Sequence, residues 1–356
     1  MKYNKILITG GAGFVGSNLA IKFKEKYPET QIYALDNLKR RGSELNVSRL
    51  KKSGVVFVHG DIRNKEDFEE INDIDLIFEC SAEPSVMAGL NSSPSYLTNT
   101  NLVGTLNCLE FARKNKAAFI FISTSRVYPI KLINNLKFTE QDSRFSLNES
   151  QNTFGASSEG ISENFPLEGA RSLYGSTKLC SEIMIQEYID SFGLNGIINR
   201  CGVITGPWQM GKTDQGVFVL WVARHIFGGK LSYIGYGGEG KQVRDFIHID
   251  DLFDILDIQI NNIDKFNGQI YNIGGGKENS VSLQELTEIC KEITGNSIEI
   301  SSTKENRPAD LISFITDCSK IKNLTGWKPK KDIRQTVSDI TNWINENKDQ
   351  LKDILT

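Results

Sequence analysis

In the stretch SLYGSTK, Tyr174 and Lys178 stand four residues apart, on one face of a helix if the segment is helical. A phenol ionises near pH ~10, and bringing it toward neutrality takes roughly 4 kcal/mol of preferential stabilisation of the phenolate. An ammonium one turn away supplies part of that, so the pair is suited to taking up and returning a hydroxyl proton. A second stretch, FISTSRVYP over 121–129, begins as an apolar strand and ends in Ser123, Thr124 and Ser125, followed by Arg126 and Tyr128. Ligands of α/β sheets bind beyond the carboxyl ends of the strands, which is where Thr124 would stand. Arg126 cannot act as a base there, because a guanidinium stays protonated at neutral pH.

A third stretch, ITGGAGFVGSNLA over 8–20, follows an apolar run and opens an amphipathic one. Gly10, Gly13 and Gly16 permit a tight turn and a close backbone approach, leaving helix N–H groups aimed at a pyrophosphate. Asp36 ends the next apolar run, where a carboxylate accepts the hydroxyls of an adenosine ribose and repels a 2′-phosphate; NAD is therefore expected over NADP. Arg40 and Arg41 are either phosphate ligands or a solvated pair. In GDIR, Asp61 and Ile62 are placed to meet an adenine, although Asp61 is equally suited to capping the segment that follows.

These residues need a scaffold. Apolar, β-branched runs at 5–9, 31–36, 55–61, 75–81, 118–124 and 196–202 alternate with amphipathic stretches at 14–27, 64–72, 95–115 and 174–192. Strands that are apolar on both faces and separated by helices indicate a parallel sheet covered on each side, the doubly wound Rossmann architecture. Beyond residue 203 the regularity breaks into glycine-rich pieces between helices at 216–227, 248–261, 282–294 and 332–348. We expect an α/β chain with an NAD-binding domain over 1–202, to which 241–276 returns, and a smaller C-terminal substrate-binding lobe over 203–356. The polar segment 139–172 reads as a long loop. A cleft between sheet and lobe is the expected site.

With 356 residues, 39% hydrophobic, 24% charged and a net charge of −3, the composition is that of an ordinary soluble protein and implies no nucleic-acid partner. The six cysteines form no C-x-x-C pair and, like His59, His225 and His248, are scattered, so reduced thiols and no metal site are expected. MKYNKILITG runs straight into a strand without a signal-peptide core, and no window approaches ~18 consecutive apolar residues; the expected compartment is the cytoplasm, with no membrane partner.

The GxxGxxG turn, the strand-end Thr124 and Y-x-x-x-K, in this order, resemble the extended short-chain dehydrogenase/reductase family of nucleotide-sugar epimerases and dehydratases. The resemblance extends through TNLVGT (100–105), GKQVRDFIHIDD (240–251), YNIGGG (271–276), RPAD (307–310) and GWKP (326–329). It implies bound NAD and a nucleotide-diphosphate-sugar substrate. Thr124 would bind the reacting sugar oxygen, Tyr174 would be the acid/base, and Lys178 would lower its pKa while holding the nicotinamide ribose. It also places Phe14, Val15, Asn37, Ser81, Ala82 and Asn101 at the cofactor, and Ser125, Arg126 and Gln215 at the substrate. Arg244 and Arg307 match positions that hold the diphosphate; otherwise they are ion-pair partners of Asp245 and Asp310 respectively. Trp208 and Gln209 are pocket candidates, with Trp208 as readily lobe core.

The family's 4,6-dehydratases carry Asp-Glu after the threonine, where this chain has Ser125 and Arg126. The resemblance therefore implies a transient oxidation without elimination of water, that is, epimerisation. DNLKRRGSELN (36–46), FVHGDIRNK (57–65) and TDQGVFVLWV (213–222) are similar to the branch that inverts C2 of CDP-linked sugars. Val203, Pro129 and ECSAEPS (79–85) depart from common family wording. Family members commonly pair the helices corresponding to 95–115 and 174–192 about a two-fold axis, which implies a homodimer or homotetramer.

Overall fold

The computed structural model describes residues 2–211 and 215–356. Strands β1 (Lys5–Thr9), β2 (Gln31–Asp36), β3 (Val56–His59), β4 (Leu76–Glu79) and β5 (Ala118–Thr124) pair in parallel, in the spatial order β3-β2-β1-β4-β5. The strands Gly196–Cys201 and Gln269–Ile273 continue the sheet beyond β5, making seven. Every residue of β5 is buried, so the strand needs helices over both faces. The reversal of strand order between β1 and β4 brings their carboxyl ends together as a binding crevice.

The chain resolves into two compact units. The first comprises the residues through Thr124, Leu173–Arg200 and Phe253–Ile270. One face of its core gathers Leu7, Ile62, Phe68, Ile77, Cys108, Phe119, Phe121 and Ile185. On the other, Phe23 of helix α1 (Phe14–Lys26) stacks on Phe78 at 5.0 Å and meets Phe253 at 4.8 Å.

The second unit comprises Ser125–Ser172, Cys201–Leu252 and Tyr271–Thr356. Its four-stranded sheet joins Val203–Thr205, Val243–His248, Ser280–Ser282 and Ser313–Phe314. Helices Leu283–Thr294 and Ile333–Glu346 each begin with a capping box, Ser282 with Glu285 and Asp332 with Gln335, which satisfies first-turn N–H groups. Trp208, at φ +70°, packs on Trp343 at 5.6 Å, which assigns it to lobe packing.

Several elements differ from the sequence expectation. The stretch 64–72 folds only as a 3-10 turn at Glu66–Phe68. The helix expected over 95–115 is present over those residues, with a π turn at Asn99–Val103 between Ser95–Thr98 and Gly104–Asn115. Segment 139–172 contains short antiparallel pairs, Phe138–Glu140 with Phe145–Leu147 and Ala156–Ser157 with Gly160–Ile161. Helix α2 (Ser43–Lys52) was not expected, because it buries only Ser43, Asn46 and Leu50 and so shows little apolar periodicity.

Candidate active site

The glycines after β1 are dictated by close approach. Gly10 has φ +63°, and a Cβ there would lie 2.9 Å from the Cys80 and Ser81 backbone; at Gly16 it would lie 2.2 Å from the Gly10 carbonyl oxygen. The chain can therefore turn tightly between β1 and α1. Gly13 is the N-cap of α1 without a side-chain cap, and the first turn has no acidic residue. Gly13, Phe14 and Val15 are half-buried while Gly16 to Ala20 are buried, so the open end of the helix is an amide-lined seat for a pyrophosphate. Those residues fit a dinucleotide.

Asp36 lies beside that turn. Its carboxylate accepts from Ala12 N at 3.1 Å and Leu38 N at 2.8 Å. Burial pushes the carboxyl up and these amides pull it back. Asn37 donates from Nδ2 to Asp61 at 2.7 Å, linking the ends of β2 and β3. Asp61 also takes Arg63 Nε at 2.9 Å, Nη2 at 2.6 Å and the Arg63 backbone N–H at 3.0 Å. Burial opposes ionisation there, but the Arg63 and Asn37 hydrogen bonds bring the carboxyl down to about 2. Asp61 thus caps its own turn. Ile62 is a core residue against Gly104, where a Cβ would lie 2.5 Å from Ile62 Cδ1.

Tyr174 and Lys178 open the helix Leu173–Phe192, Tyr174 half-buried and Lys178 buried. Lys178 Nζ stands 3.8 Å from the centre of the Phe121 ring and 3.6 Å from Glu79 Oε2. Asn101, inside the π turn, is a hub. Its Oδ1 accepts from Glu83 N at 2.8 Å, its Nδ2 donates to Glu83 O at 3.1 Å and Thr177 Oγ1 at 3.2 Å, and its carbonyl accepts from Ser181 Oγ at 2.9 Å. The loop that follows β4 with Ser81 and Ala82 is thereby tied to the helix carrying the Tyr–Lys pair. Thr124 is buried at the end of β5. Beside it, Ser123 Oγ donates to Glu182 Oε1 at 2.5 Å, and Glu182 takes Arg200 Nε and Nη2 at 3.0 and 2.7 Å. Sequence reasoning missed Glu79, Glu83, Thr177, Glu182 and Arg200. For Glu79 the available signal was a lone charge inside the apolar run DLIFEC; for Glu182, its i+4 spacing from Lys178.

In the second unit, Arg126 Nη1 donates to the Ala309 carbonyl at 3.0 Å. Arg244 Nη2 donates to Asp310 Oδ1 at 3.0 Å and to Leu311 O at 2.8 Å. Asn134 and Tyr236 both donate to the Asp310 carbonyl at 3.0 Å. The segment carrying Arg307 is thus strapped from four sides, and Arg307 itself is exposed. The ion pairs differ from the alternative read in sequence: Arg244 pairs with Asp310, whereas Asp245 accepts from Gly275 N, Gly276 N and Thr316 Oγ1. Tyr128 of the STSRVYP stretch is structural, its buried hydroxyl donating to Asn272 Oδ1 at 2.8 Å. Ser125 and Gln215 are half-buried; Thr213 and Asp214 of the TDQG motif lie outside the described residues. Among the described residues no acidic, histidine and cysteine groups gather into a metal site, and no helix is long and apolar enough to cross a membrane.

A parallel sheet with a dinucleotide cradle after β1 and a Tyr–Lys pair on a later helix defines a pyridine-nucleotide enzyme of the extended short-chain dehydrogenase/reductase type. The chain belongs to the NAD dependent epimerase/dehydratase family, which matches residues 6–274. It is 31% identical to CDP-paratose 2-epimerase of Salmonella typhi over 348 residues, covering 95% of this chain and 98% of that protein. The structure is similar to UDP-glucose 4-epimerase of Thermotoga maritima solved with UDP-glucose, with TM-score 0.78, 26% identity and coverage of 96% and 99% of the two chains. It is also similar to dTDP-glucose 4,6-dehydratase of Bacillus anthracis in complex with NAD, with TM-score 0.77, 26% identity and coverage of 98% and 99%.

Proposed function

We propose that this enzyme epimerises a nucleotide sugar at C2, its substrate being a CDP-sugar of the paratose/tyvelose type. The observation that carries the reading is Arg126: Tyr174 and Lys178 are present, but a permanently charged guanidinium stands where elimination of water needs a carboxylate. The 31% identity to a CDP-paratose 2-epimerase supports the choice of centre and nucleotide. Thr124 holds the reacting hydroxyl, and Tyr174 withdraws and later returns its proton. Lys178 stabilises the phenolate and holds the nicotinamide ribose. Gly10, Gly13, Phe14, Val15 and Gly16 seat the pyrophosphate; Asp36, Asn37, Asp61 and Ile62 surround the adenosine; Ser81, Ala82 and Asn101 flank the nicotinamide side. NAD, when bound, would supply the hydride acceptor and donor for the inverted carbon. Ser125, Arg126 and Gln215 contact the substrate, and Arg244 and Arg307 hold its diphosphate.

Incubation with a panel of CDP-, UDP- and GDP-sugars in heavy water, followed by NMR, tests this. We expect inversion at C2 of a CDP-sugar with the original hydrogen retained on that carbon. Solvent deuterium at the inverted carbon, or a 4-keto-6-deoxy product, overturns the mechanism. A second reading, a 4-epimerase or reductase, is favoured by the likeness to UDP-glucose 4-epimerase and would show as inversion or reduction at C4. Absence of turnover on every sugar, with NAD bound, would indicate an NAD-sensing protein instead.

We also infer a homodimer, singly or doubled into a tetramer, built on the helices Gly104–Asn115 and Leu173–Phe192. Ile183 and Phe192 are 50% and 57% exposed on the second of these, more than large apolar side chains ordinarily are. Light scattering that finds only monomer rejects it.

A further inference from the structure

The helix Leu173–Phe192 carries one buried carboxylate, Glu182, and faces another, Glu79, through Lys178, and their surroundings differ. Glu182 is saturated: both its oxygens take Arg200, and Oε1 also takes Ser123. Glu79 has no such company. It is the last residue of β4, opposite Thr9 of β1 and Phe121 of β5, and is 0% exposed. Among the described residues neither carboxylate oxygen has a hydrogen bond of ordinary geometry, and the only groups near enough to favour its charge are the Lys178 ammonium and the Ser81 backbone N–H. The charged group facing it is Lys178, with Nζ 3.6 Å from Oε2 and itself almost wholly buried. From the remaining neighbours come the neutral Thr9 hydroxyl, the Phe121 ring and the Cys108 thiol, which burial and then the Glu79 charge push up. Burial pushes the Glu79 carboxyl up and the Lys178 ammonium pulls it back.

A buried ion pair without further hydrogen bonds is a poor source of stability, since desolvation offsets the attraction. Its other consequence is electrostatic. A fixed negative charge behind Lys178 holds protons on everything it faces, including a phenol one turn away.

We propose that Glu79 is an ionised counter-charge to Lys178 and thereby sets the pH at which Tyr174 gives up its proton. It touches neither substrate nor cofactor in this role; it is a positioning residue, acting through Lys178. The inference rests on the reading of Tyr174 and Lys178 as the proton-handling pair. In Glu79→Gln the shape is kept and the charge removed, while the Phe121 ring still faces the ammonium. The phenolate then forms more readily, and removing a unit charge roughly 10 Å away at an effective dielectric of about 20 corresponds to about one pH unit.

The test is an ultraviolet titration of the NAD-bound protein, following phenolate absorbance. Subtracting the curve of the matching Tyr174→Phe variant isolates Tyr174. We expect Tyr174 to ionise about one unit lower in Glu79→Gln, and near the unsubstituted protein in Glu79→Asp, which retains the charge. An unmoved or raised titration in Glu79→Gln overturns the proposal, as does an equal displacement in the Asp variant, which would mark a packing effect. Thermal melting confirms that both variants fold. Because the titration uses no nucleotide sugar, failure to epimerise any sugar would sink the proposed activity without deciding this point. A fully active enzyme with an unmoved titration would sink the Glu79 role alone.

Discussion

At the scale of single residues, chemistry and its support separate cleanly. Tyr174 is half-buried, whereas Lys178, one helical turn on, is buried with its ammonium over Phe121. Tyr174→Phe should lower turnover by about 10²–10⁴ while NAD stays bound, since only the proton-transferring oxygen is removed; steady-state rates and cofactor content after denaturation check both halves. Asp36 makes a different point. Its carboxylate is held by Ala12 N and Leu38 N, so its position is set by the glycine turn rather than by a cofactor. The purified protein should carry NAD, identified by mass after release, and Asp36→Ala should narrow its preference over NADP in binding titrations. The placement of Tyr174, Lys178, Thr124 and Asp36 was legible because it depends on spacing along one helix or on position at a strand end. Glu79 was not, because its meaning comes from a lysine 99 residues away in sequence that only the fold brings to 3.6 Å.

At the scale of elements, the helix Leu173–Phe192 is located by polar ties as much as by apolar packing. Asn101 holds it through Thr177 and Ser181, and Glu182 holds it to β5 and to the strand Gly196–Cys201 through Ser123 and Arg200. Leaving Arg200 buried without its partner should be severe: Glu182→Ala is expected to cost about 3–5 kcal/mol, read by denaturant unfolding. The strap around the Arg307 segment predicts an effect on substrate binding instead. Arg244→Ala and Arg307→Ala should raise KM for the nucleotide sugar far more than they lower kcat, and Arg126→Ala should do so to a smaller degree, since its bond to Ala309 O is to a neutral acceptor. Unchanged KM in all three would make these arginines purely structural. The strands were legible from their two-sided apolar runs, and β1, β2 and β5 match to the residue. The π turn at Asn99–Val103 was not, because YLTNTNLVGTL keeps helical periodicity. The extra residue is accommodated where Asn101 bonds the Glu83 backbone, a tertiary cause.

At the scale of the whole molecule, the order of strands in the sheet and the interleaving of three chain segments into each unit lay beyond local pattern, since both depend on contacts distant in sequence. Asp245 shows how such contacts shape stability. It lies wholly buried in the strand Val243–His248 and gathers Gly275 N at 2.9 Å, Gly276 N at 3.2 Å and Thr316 Oγ1 at 3.0 Å, joining three distant segments. Burial pushes its carboxyl up to about 6 despite those bonds. The native state therefore keeps a proton that the unfolded chain, with an ordinary carboxyl near ~4, has already released. Between these two values the unfolded state binds fewer protons, so this group's contribution falls as pH rises from about 4 through about 6, by about 3 kcal/mol in total. In Asp245→Asn the side chain cannot titrate but can still accept from the same amides. The stability of the natural protein relative to this variant, measured by denaturant unfolding at successive pH values, should decline across that window and level off above it. A difference that is flat with pH would mean that Asp245 is ionised throughout, with its three hydrogen bonds outweighing its burial.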